Sequence, residues 1–206
     1  MNRATDRAAR DIVVERLDAA AFAPFGEVIG LREAPDATIN RGRCGRHHDL
    51  ARLDFTGGGR AGISLFDAAP CALPLTLDLV ERHPFGSQAF LPMSDAPFLV
   101  IAAEDEGGRP GRPRAWITDG RQGVNYRRGT WHGVLTPLAR PALFAVVDRI
   151  GGEGENLEEA TLDPPWRVVD AHGFVPRGLA AAGPGAEGLA FEGLAPEDRT
   201  DGGIAS

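Results

Sequence analysis

Apolar residues along the chain fall in short runs broken by turn residues, not in a sustained helical repeat. Ile12-Val13-Val14 and Leu17 sit among charges, which predicts a strand and then a short helix over Asp6 to Ala21. Ala23 to Ile29 reads as a turn leading into a strand. Leu50 to Phe55 and Ile63 to Phe66 flank Gly57-Gly58-Gly59, the pattern of a hairpin. Asp78 to Pro84, Gln88 to Met93, Phe98 to Ala103, Ala115 to Thr118, Val124 to Tyr126 and Pro141 to Asp148 are further strand-like stretches. Asp119-Gly120 is a strong turn signal. Short strands at near-regular spacing predict an all-β sandwich or barrel with a few short helices.

The pattern weakens after Gly151-Gly152, and from Pro176 the chain is rich in Gly, Ala, Pro and Glu. We therefore expect one domain over residues 1–165. Residues 166–206 are expected to form an irregular C-terminal extension, weakly ordered or packed on the core. The 27 glycines and 16 prolines favour turns over long helices. The longest apolar run, Phe98 to Ala103, is too short to span a membrane, and Met1 to Arg16 is too polar for a signal peptide. Two cysteines, Cys44 and Cys71, read as reduced thiols. A soluble cytoplasmic protein is expected.

Charge removes several classes of chemistry. The chain has 22 basic residues, every one an arginine, against 29 acidic ones, for a net charge of −7. Without lysine there is no Schiff base, no lysine nucleophile and no P-loop lysine. The acidic balance argues against a nucleic-acid partner. No nucleophile elbow and no dinucleotide fingerprint is present.

The sharpest constellation is Glu81-Arg82-His83-Pro84-Phe85-Gly86-Ser87-Gln88. Residues two apart on a strand share a face, so Glu81 and His83 project together while Arg82 turns away. Pro84 biases His83 toward an extended backbone, and the Phe85-Gly86 turn folds Gln88 back beside them. Gly129-Thr130-Trp131-His132 offers a second imidazole. Glu81, His83, Gln88 and His132 suit a divalent metal of the nickel or zinc type. The alternative is a metal-free polar pocket. A second cluster, Asn40 to Asp49, contains Arg41, Arg43, Arg46, His47 and His48, and its arginines suit a carboxylate clamp, unless the loop is simply solvated. Asn125-Tyr126-Arg127-Arg128 carries the only tyrosine, and Asp148-Arg149 ends a core strand, either as an ion pair or as part of a site.

Glu81 to Met93 closely resembles the signature of the ureidoglycolate lyase family, as does Gly123-Val124-Asn125-Tyr126 leading to Trp131-His132. Asn40-x-Gly42 with Arg46-x-His48-Asp49-Leu50-Ala51 resembles the same family's N-terminal motif, Phe25 to Ile29 its opening and Asp148-Arg149 its final strand. Gly45 departs from the pattern, which has an acidic residue before Arg46. The matches run in order over about the first four-fifths of the chain.

The resemblance implies a cupin-like β-barrel, a homodimer, and cleavage of (S)-ureidoglycolate to glyoxylate and urea in allantoin degradation. It places Glu81 to Gln88 and Gly129 to His132 at the two cupin metal motifs. Glu81, His83, His132 and Tyr126 are the expected catalytic residues. Asn40, Arg46, His48, Arg82, Gln88 and Asn125 are the expected substrate contacts. With no lysine, the substrate's carboxylate falls to arginine, a metal or backbone donors, Arg46 first and Arg82 second. The rival readings are another metal-dependent cupin enzyme, an oxygenase or isomerase, and a non-catalytic small-molecule sensor.

Overall fold

A computed structural model describes residues 10–175. Among them the elements are β1 (Asp11–Val13), β2 (Glu15–Arg16), the four-residue helix α1 (Ala19–Phe22), β3 (Gly26–Ile29), β4 (Ala37–Ile39) and β5 (Cys44–Arg46). Then come β6 (Arg60–Asp67), β7 (Leu75–Arg82), β8 (Gln88–Pro92), β9 (Phe98–Ala103) and β10 (Arg114–Ile117). The series ends with β11 (Gly123–Tyr126), β12 (Trp131–His132), β13 (Thr136–Pro137), β14 (Leu143–Ile150) and β15 (Glu158–Val169).

Two sheets carry the fold, and a separate ribbon pairs β4 with β5. The larger sheet runs β1-β15-β7-β12-β9-β10-β2, with β13 attached to β9. Its two edge strands, β1 and β2, are separated in sequence by Val14 alone. Fully buried Val14 donates its N–H to Val169 O at 2.9 Å, and Leu17 N–H reaches Ile117 O at 2.9 Å on the far edge. One short segment thus stitches both edges, and the sheet rolls into a nearly closed barrel. The smaller sheet, β3-β11-β8-β14-β6, lies against it. This is the all-β class expected from the strand spacing and the cupin-like architecture that the family resemblance implies.

β9 explains why Phe98 to Ala103 does not alternate. Phe98, Val100 and Ala102 face the smaller sheet and pack with Phe90, Val124, Tyr126, Phe144 and Val146. Leu99, Ile101 and Ala103 face the other way, into the rolled sheet, with Ile12, Val14, Leu77, Val80 and Val168. A strand buried on both faces needs apolar side chains at every position. Each large one contributes about 1.5–3 kcal/mol by leaving water.

One local expectation is corrected. Leu50 to Phe55 does not pair with β6; β6 pairs with β14 along its whole length, and Phe55 makes only an isolated bridge to Gly86. The triple-glycine turn is shaped instead by Arg149, whose guanidinium donates to Thr56 O and Gly57 O at 2.9 and 3.1 Å. The Asp119-Gly120 turn carries the chain between layers, because β10 belongs to the larger sheet and β11 to the smaller. β15 runs across residue 165 to Val169, pairing with β7 and β1. The expected extension beyond residue 175 lies outside the described residues.

Candidate active site

The two sheets face each other across a polar patch at one end of the core. On the larger sheet Glu81 of β7 pairs in register with His132 of β12, and His132 pairs with Ala102 of β9. Residues opposed in an antiparallel ladder share a face. Ala102 faces the smaller sheet, so Glu81 and His132 do too. Trp131, one residue earlier, turns into the rolled sheet. On the smaller sheet Gln88 pairs with Tyr126, and both are buried. Val146 opposes Phe90, so two residues on, Asp148 of β14 falls beside Gln88 on the same inward face. The site is therefore two rows: Glu81, His83 and His132 on one layer, and Asp148, Gln88 and Tyr126 on the other.

Glu81, His83 and His132 each offer a ligand atom within 4.8 Å of the others. Glu81 Oε1 lies 3.9 Å from His83 Nε2 and 3.9 Å from His132 Nδ1. The two imidazoles are 5.3 Å apart, and Tyr126 stacks on His132 at 4.3 Å with planes 11° apart.

Both ring nitrogens of His83 face oxygens: Nδ1 lies 2.6 Å from Asn156 O, and Nε2 lies 3.2 Å from Gln88 Oε1. A neutral imidazole has one N–H and can donate to only one of them. The second contact calls for an imidazolium, a turned amide, or a cation between Nε2 and Oε1. His132 Nδ1 lies 3.1 Å from Gly133 O, and its Nε2 is buried with no hydrogen-bond partner among the described residues. Two imidazoles, a carboxylate and an amide oxygen are donors a divalent transition metal accepts, so this set fits one.

Burial sets the charge states. Desolvation, reinforced by His83, drops His132 to a pKa of about 3, so it is neutral near pH 7. Desolvation pushes Glu81 up, opposed by His83 and reinforced by Glu159, its cross-strand neighbour. Burial also raises Tyr126, which stays protonated. Asp148 is raised by desolvation, opposed by His83 and Gln88.

The other expected contacts lie elsewhere. Asn125 is buried, but on the opposite face of β11, where its Nδ2 donates to Glu27 Oε2 at 2.8 Å and Arg52 O at 3.1 Å. Arg82 points away from Glu81, as alternation predicts. It pairs with Asp105 at 2.8 Å and Glu158 at 2.6 Å and lies over the Trp131 ring. Asn40, Arg46 and His48 belong to the exposed β4–β5 ribbon and its flank, where Arg46 reaches His48 at 2.8 Å. That ribbon follows Ile29, which pairs with Gly123, whereas Tyr126 sits at the other end of β11 opposite Gly26. Arg127 and Arg128 pair with Glu27 and Asp54.

One residue at the site, Asn156, was not singled out by motif reading. Asp148-Arg149 was, either as an ion pair or as part of a site; the structure brings Asp148 beside Gln88, while Arg149 spends its guanidinium on backbone carbonyls. The signal was alternation, with Phe144 and Val146 inward and Asp148 next in phase. Asn156 orients His83 through its carbonyl and caps Phe85 N–H with its Oδ1 at 2.9 Å. It lies between β14 and β15, and nothing local in the sequence announces it.

The sequence pattern of the family described as "Ureidoglycolate lyase" matches residues 9–169. A protein of Rhodobacter capsulatus named ureidoglycolate lyase is 60% identical over 157 residues, 76% of this chain and 97% of that protein. One from Chelativorans sp. with the same name is 52% identical over 160 residues, 77% of this chain and 96% of its own. A third, from Rhizobium meliloti, named ureidoglycolate lyase 2, is 49% identical over 156 residues, 75% of this chain and 95% of its own.

Proposed function

The chain belongs to the ureidoglycolate lyase family, and we propose that it cleaves (S)-ureidoglycolate to glyoxylate and urea at the Glu81–His83–His132 cluster. The observation that carries the placement is the convergence of these three side chains, two partly buried and His132 fully buried, at one end of the inter-sheet core. The matched region, residues 9–169, contains both rows of the site.

The substrate carbon bears a hydroxyl, a carboxylate and a ureido nitrogen. Cleavage removes the hydroxyl proton, converts C–O to C=O and breaks the C–N bond with its electron pair going to nitrogen. That nitrogen must gain a proton before urea leaves. His83 donates its Nδ1–H to Asn156 O, which leaves Nε2 as the acceptor on the side of Glu81 and Gln88. In an ion-free site Nε2 takes the hydroxyl proton. Glu81, biased toward its protonated form by burial, is placed to return a proton to the leaving nitrogen. His132 stays neutral, and Tyr126, stacked on it, keeps its phenol proton as a donor for the urea oxygen.

Glu81, His83, Gln88 and His132 would hold a divalent ion of the nickel or zinc type. When bound, it would supply positive charge to lower the hydroxyl pKa and balance the carboxylate. The paired state of Arg82, Arg127, Arg128 and Arg149 supports this reading, because none of them is a free carboxylate clamp. The test is His83→Ala. Turnover of ureidoglycolate should fall by roughly 100-fold or more, with far-UV circular dichroism unchanged. Turnover within twofold of wild type would refute the placement.

The homodimer expected from the resemblance belongs to the same proposal. β6 is a sheet edge, and its Ile63 and Leu65 are 77% and 64% exposed, a surface suited to a second copy. Among the described residues no helix is long and apolar enough to cross a membrane. A cytoplasmic location is proposed on the two free thiols, Cys44 and Cys71.

A further inference from the structure

One acceptor at the site is used by none of the steps above. Asp148 Oδ1 is shielded from solvent and has no hydrogen-bond partner among the described residues. Its strand neighbour on one side is Gly62, which brings no side chain. On the other side is Gln88, whose side-chain amide lies against the same carboxyl group and leaves Oδ1 as the oxygen without a partner. Arg149, next in sequence, is committed to the carbonyls of Thr56, Gly57 and Glu153. A buried carboxylate oxygen without a donor is uncommon, and the missing donor is a natural role for a ligand.

The chemistry of the proposed substrate supplies that donor. A ureido group has an N–H, an NH2 and one carbonyl oxygen, whereas the glyoxylate half has no N–H at all. On the smaller sheet Asp148 offers only acceptors, Gln88 both kinds of group, and Tyr126 a hydroxyl. On the larger sheet lie Glu81, His83 and His132, suited to the hydroxyl-bearing carbon. The geometry points to a division of labour between the layers. We propose that Asp148 is the residue that selects the ureido end of the substrate, accepting an N–H hydrogen bond that lays this end along the smaller sheet. This assignment rests on the function proposed above and adds a specificity-determining contact to it.

Product inhibition separates the two halves of the site. Urea carries only the N–H donors and glyoxylate only the carboxylate and carbonyl. In Asp148→Asn one acceptor oxygen becomes an NH2 donor with little change in shape. The inhibition constant for urea, kept below denaturing concentration, should weaken by about 10- to 100-fold, as for loss of a charge-assisted hydrogen bond. The constant for glyoxylate should stay within twofold, and KM for ureidoglycolate should rise more than kcat falls. Far-UV circular dichroism should be unchanged, because the two side chains have nearly the same shape. Should the asparagine variant misfold, Asp148→Ser serves for the same comparison. Unchanged inhibition by urea would overturn the assignment, as would parallel weakening of both products. If the wild type releases neither product from ureidoglycolate, the functional reading fails instead. Asp148 is then judged separately, by whether urea shifts the imidazole NMR signals of the wild type and not those of the variant; shifts in both, or in neither, would overturn it.

Discussion

His132 is the side chain whose surroundings constrain it most. It is 1% exposed, stacked on Tyr126 and close to a second imidazole, and its pKa falls to about 3. The unfolded chain takes up a proton at this histidine near pH 6.5, whereas the folded chain resists until about pH 3. Below pH 6.5 the unfolded state therefore binds more protons, so this group withdraws stability as pH falls. Glu81 and Asp148, both raised, act in the opposite sense. Comparison with His132→Gln isolates the histidine. In metal-free protein, wild type should lose roughly 2–3 kcal/mol more than the variant between pH 6.5 and 4.5. Denaturant unfolding at the two pH values measures it; parallel losses in both proteins would contradict the assigned burial. At this scale the sequence was informative where spacing and strand geometry coincide. Glu81-x-His83 shares a face because the backbone there is extended, and Arg82 is excluded for the same reason. Asn156 was invisible because it holds His83 through a backbone carbonyl, which every residue has, and caps Phe85 N–H from 71 residues away.

At the scale of elements, the site depends on strands meeting at close range. β3 and β11 approach so tightly at Gly26 that a Cβ there would land on Asn125 O. Gly26 pairs directly with Tyr126, so the fit of this strand pair sets the wall behind the His132 ring. Gly26→Ala should cost about 2–3 kcal/mol by overpacking, and lower the melting temperature by about 5–10 °C. Calorimetry provides the check, and an unchanged melting point would mean the strands can part without cost. Most strands were legible from their apolar runs, β9 above all. β12 is only Trp131-His132, too short to show a period, and was found through its chemistry instead. The false hairpin at Gly57 to Gly59 arose because a flexible turn between two apolar runs looks the same whether the runs pair with each other or not. Arg149, some 90 residues later, decides the matter, and local sequence carries no trace of that contact.

For the whole molecule, the lysine-free composition and net charge of −7 frame how an anionic substrate is held. Arginine was the expected counter-charge, yet Arg82 and Arg127 are bound to carboxylates and Arg46 sits on the outlying ribbon. The positive charge required at the site is accordingly placed by our proposal on an ion held by Glu81, His83, Gln88 and His132. Metal analysis of the purified protein should find about one nickel- or zinc-type ion per chain, and chelation should slow turnover to that of the ion-free site. Closure of the barrel is another property of the whole. It depends on Val14 joining strands at opposite edges of one sheet, and the expected all-β class follows from strand spacing while that particular join does not.

The most direct test is product analysis with purified protein and ureidoglycolate. The account predicts glyoxylate and urea in equal amounts with no ammonia, because the only bond broken is that between the hydroxyl-bearing carbon and the ureido nitrogen. Release of ammonia in step with glyoxylate would show that the carbonyl of the ureido group is attacked instead, and would contradict it.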